Sequence, residues 1–239
     1  SAFQVIQLPV NALEGSEMAK DIRQSPNNNQ LRFYGMRPLA CYPDGGVGTG
    51  PPFRLVDYEI HGKFTNEVTG PPTLYDVALK QILSHLDADE LLHLQASGAK
   101  LDVVQSETLQ VCQILQGIIQ DLDAQLATIR SLDVHDDYLL RRVLPTLSQI
   151  ELDDETSRLL NSFFVEYNHA VRYAVASKTR QLLRHGEGDA SAITYELPQH
   201  QRLQEFGILY ALSLTDKVIV NCTSANQVLD AIRIAETAE

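Results

Sequence analysis

Apolar positions along this 239-residue chain change their period twice. From residue 1 to about 72 the texture is that of strands and loops. Phe3–Val10, with Val5, Ile6 and Leu8 and no charge, is one strand candidate, and Leu31–Leu39 is another. Leu13–Gln24, between them, predicts a short helix with polar ends, and strand–helix–strand is the unit of a parallel sheet. The tract YPDGGVGTGPPF, Tyr42–Phe53, predicts an irregular loop.

From Thr73 to about Arg184 the period becomes helical. Tyr75, Leu79, Ile82 and Leu86 share one face, and Val111, Leu115, Ile118, Leu122, Leu126 and Ile129 form the longest stripe. Tyr138–Ile150 predicts a third helix, bent or broken near Pro145. Asp153 or Asp154 caps a fourth, which carries Leu159, Phe163, Tyr167, Val171 and Val175. Four such helices describe a small bundle, left through the segment HGEGDAS at 185–191. Beyond Pro198 the chain returns to alternation. Leu203, Phe206, Leu209 and Tyr210 mark a helix, KVIV at 217–220 a short strand, and the last nineteen residues, 221–239, a capped helix. No fixed-period repeat exists, which excludes a solenoid.

A net charge of −12 argues against nucleic acid or an anionic membrane surface as the main partner, since both demand a basic face. Lys178, Arg180 and Arg184 read either as a local basic patch or as favourable charge at a helix end. No apolar run has the length of a membrane span and no signal peptide is visible, so membrane insertion is not expected. The chain starts at Ser1, which leaves a presequence or an upstream part expected outside it. Cys41, Cys112 and Cys222 form no CxxC pair or zinc spacing and point to a reducing intracellular compartment, with a mitochondrial or other organelle matrix slightly preferred over the cytosol.

The glycine run GGVGTG at 45–50 is not a phosphate loop: prolines follow it where a Lys-Ser/Thr pair and a helix are required. His85, Asp89 and His93 stand at i, i+4 and i+8. They read either as metal-capable groups on one helical face or as a solvated face interrupted where Asp87 caps a new helix. No Ser-His-Asp or Cys-His spacing is present, so no catalytic residue and no metal ligand is assigned.

Three segments, VIQLPVNALEG, LRFYGMRPLA and LQEFGILYALSLTDKVIVNCTSANQVLDAI, resemble in order the last three strand units of an aldo/keto reductase barrel. The resemblance implies an α/β fold: the C-terminal part of a TIM-type (β/α) barrel, with strand units six and seven in 1–72, an inserted helical bundle in 73–190 and the last helix-strand-helix unit in 191–239. It implies NADP(H) as the cofactor. Gln7 stands where the family offers an amide to the nicotinamide carboxamide, Arg37 where a serine often lies near the pyrophosphate, and Gln227 near the adenosine end. Thr223 and Ser224 occupy the turn that meets phosphate. There Thr223 replaces the family's basic residue, Asn221 its glycine and, further along the helix, Ala231 its asparagine. Losing the basic contact costs about 1.5–3 kcal/mol, roughly tenfold to a hundredfold in affinity.

The family's catalytic tyrosine, aspartate, lysine and histidine sit on earlier strands, which have no counterpart here. The expectation is therefore a non-catalytic, reductase-like structural or interaction subunit, a pseudoenzyme within a protein complex. The alternative is the cofactor-side half of an NAD(P)H-dependent carbonyl oxidoreductase. In either case three strands leave sheet edges open, and a protein partner or a missing N-terminal half is expected to cover them.

Overall fold

The structure, a computed structural model, describes residues 5–14, 16–24, 31–42, 52–185 and 195–238. Phe3, the glycine run at 45–50 and most of the predicted exit at 185–191 lie outside these residues. The fold is mixed α/β, and the chain divides into two compact units, Ser1–Thr69 with Val175–Glu239, and Gly70–Ala174.

In the first unit, strand β1 (Val5–Pro9) leads to helix α1 (Ser16–Gln24) and strand β2 (Arg32–Met36). Short pairs follow, β3 (Ala40–Cys41) with β4 (Phe53–Arg54) and β5 (Glu59–Ile60) with β6 (Lys63–Phe64), both antiparallel. After the helical unit come α8 (Leu203–Leu214), β7 (Lys217–Ile219) and α9 (Ala225–Glu236). The strands β1, β2 and β7 form one parallel sheet in that order, with Val5 opposite Arg32 and Tyr34 opposite Lys217. Asp216 fixes the last register: its carboxylate accepts the Phe33 N–H at 2.7 Å, and its own N–H donates to the Phe33 carbonyl at 2.9 Å.

Residues alternate between the two faces of a strand. Leu8, Val218 and Val10 pack with Ala19 of α1 and Ala211 and Leu214 of α8, and Phe33 and Gly35 are buried in β2. A Cβ on Gly35 would lie 3.0 Å from Thr215 Oγ1, so glycine there is the condition for the close approach of the segment after α8. Among the described residues the opposite face is left open. Val5, Gln7, Lys217 and Ile219 are exposed on it, and Tyr34 and Met36 are half-buried. The sheet has three strands and does not close among the described residues.

The core of this unit is built from Cys41, Phe53, Leu55, Ala176, Leu183, Leu203 and their neighbours. Inside it lies a polar knot that composition does not announce. The Asp57 side chain has no exposed area and pairs with Arg180 at 2.5 Å. It also accepts the Leu203 N–H at 2.8 Å and the Thr65 hydroxyl at 2.9 Å.

The second unit holds α2 (Leu74–His85), α3 (Ala88–Ala96), α4 (Val103–Thr128), α5 (Leu132–Tyr138), a π-helical turn (Leu139–Val143), α6 (Leu144–Leu147) and the first part of α7 (Asp154–His185). Asp102 and Gln105 form a reciprocal capping box that starts α4. Leu115, Ile118 and Leu122 of its stripe are buried, and the Tyr167 hydroxyl of α7 donates to the Leu122 carbonyl at 2.6 Å. Of the two readings of His85, Asp89 and His93, the structure shows the interrupted face: Asp87, in a left-handed conformation (φ 48°), is the N-cap of α3, so His85 closes α2 while Asp89 and His93 belong to α3. His85 instead faces Asp153 at 3.5 Å. One expectation needs correction, and it concerns the third helix. The third predicted helix begins earlier, at Leu132, and its irregularity precedes Pro145, which has no N–H to continue the ladder and stands at the start of α6. No described helix is long and apolar enough to cross a membrane.

Candidate functional site

Parallel strands bring their carboxyl ends to one edge of the sheet, and in parallel α/β sheets that edge is where ligands are met. Here it gathers the segments that follow Pro9, Met36 and Ile219. Four of the five sequence-predicted cofactor residues, Arg37, Thr223, Ser224 and Gln227, lie in those segments. Gln7 lies within β1 and is exposed on the sheet's bare face.

Arg37 follows β2 directly and has φ 56°, a left-handed conformation that costs a non-glycine residue on the order of 1 kcal/mol. Fully buried Asn11 holds that turn in place. Its amide donates to the Ala40 carbonyl at 3.3 Å and the Arg37 carbonyl at 3.4 Å, while its oxygen accepts the Leu13 N–H at 3.0 Å. Glu14 completes the cluster. One carboxylate oxygen pairs with Arg37 Nη2 at 2.7 Å, and the other accepts the Tyr42 N–H at 3.3 Å. The guanidinium also lies over the Tyr42 ring, 5.2 Å from its centroid. Arg37 Nη1 is buried without a hydrogen-bond partner. The cation is thus neutralised by a carboxylate of its own chain, with the Nη1 group left over.

At the third segment, Ser224 is the N-cap of α9 and its hydroxyl accepts the Gln227 N–H at 3.3 Å. The Gln227 side-chain oxygen accepts the Thr223 N–H at 2.7 Å and the Thr223 hydroxyl at 3.1 Å. All three residues are exposed. The Thr223 N–H and hydroxyl and the Gln227 N–H are therefore engaged within the turn itself. A dinucleotide phosphate also calls for a cation at such a helix start, and Thr223, Ser224 and Gln227 supply none.

Cys41, beneath Arg37, is fully buried, and burial, aided by the Glu14 charge, pushes its thiol far above the usual range. It is an inert core residue. Among the described residues the cluster of Asn11, Glu14, Arg37 and Tyr42 presents no hydroxyl or imidazole paired with a base, so it offers binding chemistry rather than acid–base chemistry. Asn11 and Glu14 were absent from the sequence-predicted set. The Asn-x-x-Glu step directly after Pro9-Val10 was the available signal, because an asparagine following a strand suits the turn that this one ties. No family model, curated protein or solved structure matches this chain.

Proposed function

We propose that this chain is a non-catalytic structural or interaction subunit built on the C-terminal strand units of an aldo/keto-reductase-type barrel. The observation that carries this reading is the one-sided sheet. Parallel sheets are ordinarily covered on both faces, yet α1 and α8 cover one face of β1-β2-β7 and leave Val5, Gln7, Tyr34, Met36 and Ile219 toward solvent. Parallel strands in the order β1-β2-β7, with α1 between the first two and α8 before the third, are what successive barrel units would supply. A strip of barrel wall needs a neighbour to complete it, and the occupied polar groups around Arg37 and Thr223 argue that its task is contact rather than reduction.

Fluorescence titration of the purified chain with NADPH tests the non-catalytic half of this reading. No saturable binding is expected, and submicromolar binding would overturn it. A second reading has one observation in its favour, the buried, unpartnered Nη1 of Arg37 at the carboxyl edge. Under it the chain is the cofactor-side half of an NAD(P)H-dependent carbonyl oxidoreductase. Thr223→Arg would then tighten NADPH binding by roughly tenfold through one charge-assisted contact.

A further inference from the structure

Gly117 stands in the middle of α4 with nothing packed against it: a Cβ there would meet no atom within 4 Å. An interior glycine weakens a helix relative to alanine, and close packing, the usual reason for keeping one, is absent. The space over Gly117 belongs to a groove of about 580 Å³ between α4 and the segment from Tyr138 to Thr146, a volume within the range of small-molecule sites. Its far wall contains the π-helical turn Leu139–Val143, an irregularity frequent at functional sites.

The groove has a definite polarity. Two acceptors stand one turn apart on α4, the Asp121 carboxylate and Gln125 Oε1. Asp121 takes a single bond, from the Tyr138 hydroxyl at 3.2 Å, and Gln125 Oε1 is buried with no partner at all. The opposite wall carries Arg142, which forms no ion pair among the described residues. Apolar surface from half-buried Ile114, one turn before Gly117, lies in the same groove. A carboxylate that takes only one bond calls for a donor-rich cation, and a lone guanidinium calls for a single carboxylate.

We propose that this groove binds a small zwitterion, an α-amino acid with an aliphatic side chain. Its ammonium donates to Asp121, its carboxylate meets Arg142, and its side chain covers Ile114 over the gap left by Gly117. A phosphate ester fits poorly, because one arginine faces an acidic neighbour. This inference is independent of the barrel reading.

The test uses the full chain with L-leucine as the probe, followed by saturation-transfer NMR and thermal shift. Isoamylamine, which lacks the carboxylate, and 4-methylpentanoate, which lacks the ammonium, are the comparison ligands. L-leucine is expected to bind saturably and about tenfold or more tighter than either, the worth of one charge-assisted contact. Arg142→Gln should reduce L-leucine to the level of isoamylamine. Gly117→Leu should fill the groove and abolish binding; the change favours helix and points into open space, so the circular dichroism spectrum should be retained. Absence of saturable L-leucine binding, equal binding of the amine, or full binding by folded Gly117→Leu would each overturn the proposal.

Discussion

Replacing Asp57 by asparagine keeps the shape of the side chain and removes its charge from a place that water does not reach. Three donors converge on that carboxylate: Arg180 Nη2 at 2.5 Å, the Leu203 N–H at 2.8 Å and the Thr65 hydroxyl at 2.9 Å. An asparagine retains one acceptor oxygen, and its amide group turns two N–H donors toward neighbours that already donate. Arg180 suffers more. Its side chain is 11 % exposed, and Nε and Nη1 are buried without hydrogen-bond partners, so the loss of Asp57 strands a cation with little water to replace the carboxylate. Removing one partner of a buried pair costs about 3–5 kcal/mol, a large part of the roughly 5–15 kcal/mol that holds a domain folded. We expect Asp57→Asn to cost about 4 kcal/mol on that basis. Adding Arg180→Met removes the stranded charge, so the double variant should recover about 1–3 kcal/mol relative to the sum of the singles. Urea unfolding followed by far-UV circular dichroism measures the cost, and hydrogen exchange at the Leu203 amide reports the knot locally. A loss under about 1 kcal/mol for Asp57→Asn, or strict additivity in the cycle, would refute the reasoning.

Gly207→Ala places a Cβ 2.9 Å from the Pro38 carbonyl oxygen and 3.0–3.1 Å from Leu39 and Leu55; backbone cannot yield as a side-chain tip does, and a loss of about 1–3 kcal/mol in urea unfolding is expected. His135 is buried, and desolvation lowers its pKa against the opposing hydrogen bond to Asn168 Oδ1 and the charge of Asp136. The folded chain therefore refuses a proton that the unfolded chain accepts below about pH 6.5. Its contribution is intact above that pH and is lost as pH falls, with no further loss below the lowered folded pKa. Comparing urea midpoints at pH 7.5 and 5.5 for the natural chain and His135→Gln isolates this share, and an identical pH dependence in the two would contradict it.

The helical unit was largely legible because its signals are local. The α4 stripe from Val111 to Leu126 repeats at the helical period. Asp153 does cap α7, through bonds from the Thr156 N–H at 2.7 Å and the Thr156 hydroxyl at 2.8 Å. The three strands of the parallel sheet were legible for the same reason, as short apolar runs beside turn residues. What escaped was every feature that depends on distant partners. Arg180 was read as helix-end charge, yet it meets a carboxylate 123 positions earlier. Glu14 gave no hint that it would neutralise Arg37, 23 positions away. The π-helical turn was equally hidden, since Pro145 announces a break without fixing where the ladder yields. Four of the five cofactor positions transferred by resemblance lie at the carboxyl edge and Gln7 does not, and the bonds made there arise from side chains such as Ser224 and Gln227, whose capping role and ligand role cannot be separated on a linear sequence.

The bare sheet face and its edges belong to one physical problem. β1 is an edge strand with no charged residue from Val5 to Pro9, and charge on edge strands is the usual protection against unwanted pairing. Across the sheet, Lys217 extends over the Tyr34 ring, 5.7 Å from its centroid, so one cation partly shields the central strand while Val5 and Ile219 on the flanks stay exposed at 39 % and 44 %. The same exposure continues on α9, where Val228, Leu229 and Ile232 are 45–60 % exposed on a helix whose buried anchor is Ile234. Scattered apolar residues would need no explanation. An uncharged edge strand, an uncovered parallel face and an apolar helix surface within one compact unit are different, because each is normally covered in a finished fold of this type. Under the proposed interaction-subunit reading, a single protein segment laid over this face would cover all three at once, and masking any one of them by an introduced lysine would then weaken that contact.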